Sequence, residues 1–317
     1  HALVKDSEIS IGGQLVDRQQ SEWLDIWNEL TDPNKLSWKL LGKREFNSKE
    51  NQTYKSRYYI PLQFWFTRNI GLALPLIALQ YHEVNIKINL RELKSLIQTD
   101  SSSFTLNGKI NQLSLYVDYI YLDTDERRRF SQTSHEYLIE QTQIAGSQSL
   151  VDGNNTYDIN LNHPVKEIVW VIRDTNRGKT TPLPKINESN TDTFGNDWFN
   201  YSASSRNDKL GYGTFDSFST AKLTLNGQDR FSERDAIYFR QVQPHQHHSN
   251  VPKKHIYVYS FALKPEQHQP TGTCNFSRID NAKLLLNGVK AGELMMFATN
   301  YNILRIMSGM GGLAYSN

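Results

Sequence analysis

Histidines are the residues of this sequence whose spacing comes nearest to a metal site. The tetrapeptide His245-Gln-His-His248 holds three of them, and His255 follows nearby. Imidazoles at short spacing can share an ion, but no cysteine or carboxylate stands at the spacing of a structural zinc site. Pro244 and Pro252 flank the cluster and favour a loop with solvated histidines. Of the two interpretations, we prefer the solvated loop and predict no metal ligand.

Other catalytic patterns are incomplete in this sequence. His82-Glu83 and His135-Glu136 lack a second histidine one helical turn later, which excludes the zincin motif. Neither Gly12-Gly13 nor Gly211-Tyr-Gly213 precedes a lysine as a phosphate-binding loop requires, and no serine stands in a nucleophile elbow. The single cysteine, Cys274, falls within an apolar strand pattern, which indicates a buried, inert thiol. We predict no catalytic, cofactor-binding or metal-binding residue, and a protein that is not an enzyme.

Acceptor triplets for N-glycosylation are the remaining candidate sites. They begin at Asn51, Asn154, Asn187, Asn200 and Asn275. Such triplets matter only if the chain meets the secretory pathway. Asn275 falls in a predicted strand, so we retain the other four asparagines as candidate glycosylation sites.

Composition points to the elements that must position these residues. The chain has 317 residues, of which 38% are hydrophobic and 11% aromatic. Asn, Ser, Thr and Tyr are plentiful whereas Ala and Met are scarce, which favours an all-β protein with long loops. The length suits two domains. A formal charge of +2 spread along the chain requires no polyanionic partner, so we expect no direct binding to nucleic acid.

The stretch from Tyr257 to Asp280 predicts two strands joined by a turn. Large apolar residues alternate with small ones from Tyr257 to Leu263, the period of a half-buried strand. Pro265, Pro270 and the pair Thr271-Gly272 then supply turn chemistry before the apolar pattern resumes.

An internal repeat predicts two similar domains. Glu8 to Gln14 matches Lys222 to Gln228, and Asn85 to Leu90 matches Asn281 to Leu286. The first copy holds extra residues between these matches, which fits a polar loop insertion at 33–54. Strands at 157–163 and 165–172 open the second copy and have no counterpart in the first. We expect that the first domain lacks its N-terminal strands, which would lie before His1.

Domain boundaries follow from this repeat. We predict a first domain at residues 1–145 with a helix near its end, a linker at 146–156, and a second domain at 157–317. Asp123 and Glu126 fit the capping box of that helix, and Ser21 is the expected N-cap of an earlier one.

Strands are expected throughout both domains. Those of the first lie at 3–11, 57–66, 73–77, 83–90 and 110–122; further strands of the second lie at 221–225, 273–275, 282–286 and 294–306. Residues 173–213 are polar and lack periodicity, so we predict an exposed loop there. No apolar run is long enough to span a bilayer.

Several segments carry a resemblance to a known family. They are Glu22-Trp-Leu-Asp-Ile-Trp-Asn-Glu-Leu30, Pro61-Leu-Gln-Phe-Trp-Phe66, Leu74-Pro-Leu-Ile-Ala-Leu-Gln-Tyr-His-Glu-Val84, Asn226-Gly-Gln-Asp-Arg-Phe231, Phe261-Ala-Leu-Lys-Pro265 and Gln269-Pro-Thr-Gly-Thr-Cys-Asn-Phe-Ser-Arg278. Together they resemble the major capsid proteins of nucleocytoplasmic large DNA viruses over nearly the whole chain.

The resemblance implies a double jelly roll: two tandem eight-stranded antiparallel sandwiches, with the first incomplete at its N-terminus in this chain. It also implies a structural role, in which homotrimers with a pseudo-hexameric outline tile an icosahedral shell. The implied partners are neighbouring capsomers and minor capsid proteins, with only indirect contact to an internal membrane. The implied location is the virion capsid, made and assembled in the host cell interior.

Two other classes compete with this interpretation. A cupin-like enzyme would need a histidine-carboxylate metal set or a pair of carboxylates in a cleft, and the sequence shows neither. A carbohydrate-binding jelly roll such as a lectin remains the alternative binding module, since aromatic-rich β-sandwiches often bind sugars.

Overall fold

A computed structural model describes residues 1–42, 57–97, 108–175, 177, 196–202 and 216–315. Its strands are β1 Val4–Ile11, β2 Gln14–Gln20, β3 Val84–Leu90, β4 His135–Leu150, β5 Gly153–Asp158, β6 Pro164–Arg173, β7 Thr220–Leu225, β8 Gln228–Asp229, β9 Arg234–Asp235, β10 Tyr257–Ser260, β11 Cys274–Asn275, β12 Ala282–Val289, β13 Gly292–Met307 and β14 Met310–Leu313. Its α-helices are α1 Ser21–Thr31, α2 Trp38–Leu41, α3 Trp65–Arg68, α4 Thr124–Gln132 and α5 Gln243–His247, the last preceded by a π turn, Tyr238–Val242.

The strands form three antiparallel sheets in the described part of the chain. The N-terminal sheet has the order β2-β1-β3. The spanning sheet has the order β10-β6-β13-β14, with β4 on the other edge of β13 and β11 beside β6. The β7 sheet has the order β5-β12-β7-β8, with β9 beside β7.

Two apolar cores lie between these sheets in the part of the chain that the structure describes. The second core is formed by alternate residues of β6 and β13, such as Ile168 and Met296, packed against Leu223 and Leu284 of the β7 sheet. The first core gathers Ile9, Ile11, Phe64, Trp65, Leu304 and Ile306 around the N-terminal sheet. Both follow from the two-residue period of strands, which places alternate side chains on one face.

Strands β4 and β13 are 16 residues long and pass through both cores. Near its start β13 contributes Leu294 to the second core, and near its end it contributes Leu304 to the first. Strand β4 runs antiparallel beside it and contributes Ile139 to the first core. The two sandwiches therefore share continuous backbone in addition to a packed boundary.

Strand β14 folds back along the end of β13 and closes the first core. Gly311 is buried there, and a Cβ atom at this position would lie 2.6 Å from Leu79 Cδ2 and 3.1 Å from Ile11 Cγ2. At the neighbouring Gly312 the nearest atom would be Gln14 Oε1, at 3.4 Å. Of these two glycines, only Gly311 stands where an added side chain would clash with the first core.

Replacing Gly311 by valine is expected to lower the free energy of unfolding by about 1–3 kcal/mol because the added atoms overpack the first core. Gly312→Val is the matched control and should cost clearly less. Chemical denaturation of both variants measures the difference, and equal losses would show that β14 does not pack as described.

The repeat predicted from sequence corresponds to equivalent strand pairing. Strand β1 is followed by a glycine turn and β2 and pairs with β3, with Ile9 opposite Ile86. Strand β7 is likewise followed by a glycine turn and β8 and pairs with β12, with Leu223 opposite Leu284. Each pair has the same order of elements, which supports a duplicated unit.

Some predicted elements are wrong. Residues 57–66 run irregularly into α3, and residues 73–77 lead into a 3₁₀ turn that Ala78 N closes by donating to Pro75 O. Residues 110–122 form no strand, and among the described residues no strand pairs with them. A strand pattern needs a partner for its backbone groups, and at these places proline or the lack of a neighbour prevents pairing.

Two boundaries also need correction. Residues 146–156, predicted to be a linker, belong largely to the end of β4 and the start of β5. The N-cap of α1 is Gln20 rather than Ser21. The capping box of α4 is confirmed, since Asp123 accepts from Glu126 N while Glu126 accepts from Asp123 N. The assignment of 1–145 and 157–317 to separate domains remains a prediction.

Candidate functional site

Helix α1 packs at the junction between the two sandwiches. Helix α1 places Trp23, Ile26, Trp27 and Leu30 on one face, the three- and four-residue spacing of an amphipathic helix. This face packs on the side of the spanning sheet that faces away from the second core. Its contacts there include Val169, Val171, Val258, Met295 and Phe297.

Aromatic packing adds to this contact. The ring centroids of Trp23 and Phe297 are 5.8 Å apart, and those of Trp23 and Trp27 are 5.7 Å apart. Strand β6 is covered by the second core on one face and by α1 on the other. It is therefore buried along nearly its whole length. The helix thus fixes the first sandwich to the second.

Glu22 is the centre of a buried ion cluster beside α1. Its Oε1 lies 3.2 Å from Arg91 Nη2 and 3.3 Å from Arg173 Nη1, and Arg173 Nη2 reaches Glu293 Oε2 at 3.1 Å. Burial lowers the pKa of Arg91, an effect that Glu22 opposes. The cluster joins a helix of the first sandwich to two strands of the second.

Two further ion pairs lie along the same side of α1 as Glu22, at Asp25 and Glu29. Lys254 Nζ is 2.6 Å from Asp25 Oδ2 and 3.5 Å from Glu29 Oε1, with the Asp25 side chain fully buried. Lys254 follows the histidine stretch of the second sandwich, so this contact again crosses the junction.

Glu140 on β4 holds the third charged cluster. It accepts from Lys166 Nζ at 2.8 Å and lies 3.0 Å from Arg68 Nη2. The Lys166 side chain is only 1% exposed, and burial lowers its pKa, which Glu140 counteracts. A carboxylate between two cations in a dry environment is strongly coupled to both.

Within the histidine stretch, His248 has a structural role. Its Nε2 lies 2.8 Å from Glu167 Oε2 on β6, and its Nδ1 lies 3.0 Å from Glu266 Oε1. Burial of the ring would lower its pKa, but Glu167 and then Glu266 outweigh it and raise the pKa to about 9. His248 is therefore a buried cation that ties two connections to the centre of the spanning sheet.

This pKa predicts a loss of stability at alkaline pH. The folded pKa of His248 lies above the unfolded value of 6.5, so its contribution is complete below pH 6.5 and disappears as the pH rises through about 9. The shift corresponds to a contribution on the order of 3 kcal/mol. Melting temperatures measured from pH 6 to 10 should fall more steeply for the native sequence than for His248→Gln. His245→Gln, at an exposed position, should leave the slope unchanged; equal slopes for all three would contradict the assignment.

The prediction of a loop with solvated histidines is wrong, because residues 243–247 form α5 and only His245 of the four histidines is exposed. His245 is exposed, His247 Nδ1 lies 3.0 Å from Leu263 O, and His255 is fully buried. Across the described ranges, no group of three or more His, Cys, Asp or Glu side chains is arranged to hold a metal ion. Cys274 is half-buried at the edge of the second core, where burial raises the pKa of its thiol.

The candidate glycosylation sites differ in exposure. Asn154 is exposed on β5. Asn200 is 4% exposed, donates to Asp197 Oδ2 at 2.8 Å and accepts from Ser202, which argues against a glycan there on the folded chain. Asn51 and Asn187 lie outside the described residues. Asn51, Asn154 and Asn187 therefore remain predicted acceptors.

Part of the polar stretch at 173–213 is buried, contrary to the prediction of an exposed loop. Trp198 Nε1 donates to Ser95 O at 2.8 Å, and Tyr201 packs fully buried with the α1 face. These aromatic side chains gain from leaving water, which outweighs the polar composition around them. Residues 178–195 and 203–213 lie outside the described part of the chain.

Sequence reasoning did not identify the charged residues of the junction. Arg68, Arg91, Lys166, Arg173 and Lys254 are scattered along the chain, and their acidic partners are distant in sequence. One signal was present: Lys166-Glu167 interrupts an otherwise apolar strand, and charged residues buried in a central strand need partners.

Several large apolar side chains are exposed on the surface of the described residues. Residues 108–123 carry several, among them Leu113, Leu115, Tyr116 and Tyr119 at 52–78% exposure. Ile237 and Val242 are exposed beside the π turn. Within the described residues, no helix is long and apolar enough to cross a bilayer.

Comparison with known proteins agrees with this architecture. Residues 126–312 match the family of the large eukaryotic DNA virus major capsid protein, and residues 1–123 match the major capsid protein N-terminus family. The chain is 44% identical to the major capsid protein of Pyramimonas orientalis virus, over 100% of this chain and 77% of that protein. It is 38% identical to that of Paramecium bursaria Chlorella virus 1, over 99% and 79%.

Solved structures show the same fold. A structure of the PBCV-1 virus capsid superposes with a TM-score of 0.82 at 35% identity, covering 100% of this chain and 84% of that one. The Faustovirus major capsid protein shares the fold alone, with a TM-score of 0.67 at 13% identity, covering 96% and 72%. The all-β double jelly roll expected from the sequence is thereby confirmed, and the chain belongs to the major capsid protein family of large eukaryotic DNA viruses.

Proposed function

We propose that this protein is the structural subunit of a large icosahedral double-stranded DNA virus shell, working as a homotrimer with a pseudo-hexameric outline. The observation that carries the proposal is the rigid pairing of two similar sandwiches in one chain, joined by β4, β13 and α1. Three such chains present six similar wedges, so a threefold object can occupy a sixfold position in a lattice.

The shell role is supported by the nature of the polar clusters. Glu22 and Glu140 are buried at the junction, His248 is buried against the spanning sheet, and each lies beside groups of opposite charge. Such clusters fix the relative position of elements, which a shell subunit needs, and we propose no catalytic step at them.

The partners follow from the same role. We propose neighbouring capsomers and minor capsid proteins as the contacts of the trimer, an internal membrane reached only indirectly, and no direct contact with nucleic acid. The location is the virion capsid, with assembly in the host cell interior. The carbohydrate-binding or cupin-like alternative has no specific observation in its favour.

Native mass measurement of the chain tests the proposed trimer. We expect a trimer at micromolar concentration that persists at moderate salt, since apolar contacts are little affected by screening. A chain that stays monomeric or dimeric at high concentration would contradict the capsid role itself. A sugar-binding module would instead be revealed by glycan-dependent stabilisation without a trimer.

A further inference from the structure

The ion cluster around Glu22 is covered by residues 196–202, a short segment of the second sandwich. Within this segment, the ring centre of Trp198 lies 4.2 Å from the guanidinium carbon of Arg91 and 5.6 Å from that of Arg173. These are the two arginines that bind Glu22 Oε1. Trp198 is itself only half-buried. Its ring therefore stands between the buried cluster and the solvent.

Hydrogen bonds from both sandwiches fix this segment in place. Trp198 Nε1 donates to Ser95 O at 2.8 Å, in the turn that follows β3. Asn196 Nδ2 donates to Lys94 O at 2.9 Å in the same turn. From the second sandwich, Arg173 Nη1 donates to Trp198 O at 3.1 Å. The segment thus binds a surface to which both sandwiches contribute.

The origin of these partners sets an order of events. Arg91 and Ser95 belong to the chain just after β3 in the first sandwich, whereas Arg173 ends β6 in the second. One tryptophan ring contacts both sets only when the two sandwiches are already side by side. The segment therefore closes on a junction that has formed, and its closure depends on the correct pairing of the sandwiches.

Covering the cluster also changes how the cluster responds to salt. The side chains of Glu22, Arg91 and Arg173 are only 8%, 9% and 6% exposed. Salt screens ion pairs that are in contact with water far more than buried pairs. If the tryptophan ring were removed, water and salt ions would reach the two arginines, and their attraction to Glu22 would weaken as the salt concentration rises.

We infer that residues 196–202 form a lid over the Glu22 cluster that closes after the two sandwiches have paired, and that Trp198 keeps water and salt ions out of the cluster. The lid makes the alignment of the two sandwiches insensitive to ionic strength. This inference goes beyond the proposed shell role and concerns a single chain, so a failure of the lid leaves the proposed trimer untouched, and the reverse also holds.

The salt dependence of stability tests the lid. Between about 0.05 M and about 0.5 M salt, the melting temperature of Trp198→Ala should fall about 2 °C more than that of the native chain. Trp198→Phe keeps an aromatic face over the arginines and should behave as the native chain does. Trp38→Ala removes another half-buried tryptophan beside a cation, Lys35, and should not steepen the salt dependence. Equal salt dependence in Trp198→Ala and the native chain would overturn the inference.

A double-mutant cycle tests whether the cluster is dry. Glu22→Gln leaves two buried arginines without their counter-charge, which is costly only where water cannot solvate them. We expect Glu22→Gln to lower the midpoint of chemical denaturation less in the Trp198→Ala background than in the native one. Additive losses would mean that Trp198 does not control access of water to Glu22.

Hydrogen exchange tests the order of closure and does not depend on any variant at Trp198. The amides of Asp197 and Ser202 are hydrogen-bonded within the lid. Trp23→Ala loosens the seat of α1, so peptides covering 196–202 should exchange about tenfold faster in this variant. Peptides covering β12, in the second core, should change less and report any global loss of stability. Lid peptides whose exchange rises no more than that of β12 would show that the lid closes independently of the junction.

Discussion

Replacing Trp23 by alanine is expected to lower the free energy of unfolding by about 3–5 kcal/mol. Trp23 is 2% exposed and packs against Trp27 and Phe297 where α1 covers the spanning sheet. Its removal leaves a cavity between α1 and the spanning sheet. Because β4 and β13 run through both sandwiches and hold them in place, this cavity cannot readily collapse. Chemical denaturation followed by circular dichroism measures the loss.

Trp38→Ala is the matched control for this prediction. Trp38 is half-buried on α2, where Lys35 Nζ lies 4.2 Å from the centre of its ring. We expect this variant to lose about 1 kcal/mol, the scale of an exposed cation–π contact and its partial burial. Equal losses at both tryptophans would show that α1 is not a main support of the junction.

The second large effect is expected at Glu140. Glu140→Gln keeps the shape of the side chain but leaves the buried Lys166 and the partly buried Arg68 without their counter-charge. Removing one partner of a buried pair costs about 3–5 kcal/mol. Glu136→Gln, on the same strand, breaks only an exposed pair with Arg305, at 57% and 49% exposure, and should cost less than about 1 kcal/mol.

A double variant separates charge burial from packing. Lys166 Nζ lies 5.0 Å from the centre of the Tyr301 ring, so methionine can fill its place with apolar contact. Glu140→Gln/Lys166→Met should be more stable than Glu140→Gln alone because the buried cation has gone. A double variant whose loss equals the sum of both single losses would mean that the pair is not energetically coupled.

Much of the fold follows from sequence pattern where local chemistry and burial agree. The strands β1, β3, β7 and β12 show clear alternation and lie close to their predicted positions. The 110–122 segment shows the same alternation yet forms no strand, because a strand also requires a partner for its backbone. Periodicity indicates which residues could share a face, but pairing depends on the rest of the chain.

The junction was less accessible to sequence reasoning. The apolar face of α1 was predictable from the spacing of Trp23, Ile26, Trp27 and Leu30. The position at which this face packs on β6 and β13 depends on contacts between distant parts of the chain. The histidine cluster invited a metal interpretation that we set aside, yet its structural role through Glu167 and Glu266 could not be deduced because both partners are distant in sequence.

The two 16-residue strands that run through both sandwiches also affect how easily one sandwich can bend relative to the other. A hinge between the sandwiches would have to bend β4 and β13 together and break the backbone hydrogen bonds between them along the bend. Bending within a subunit is therefore much stiffer than sliding at the contacts between separate chains. A curved shell built from such subunits is therefore expected to acquire its curvature at the contacts between chains, while each single chain keeps its shape.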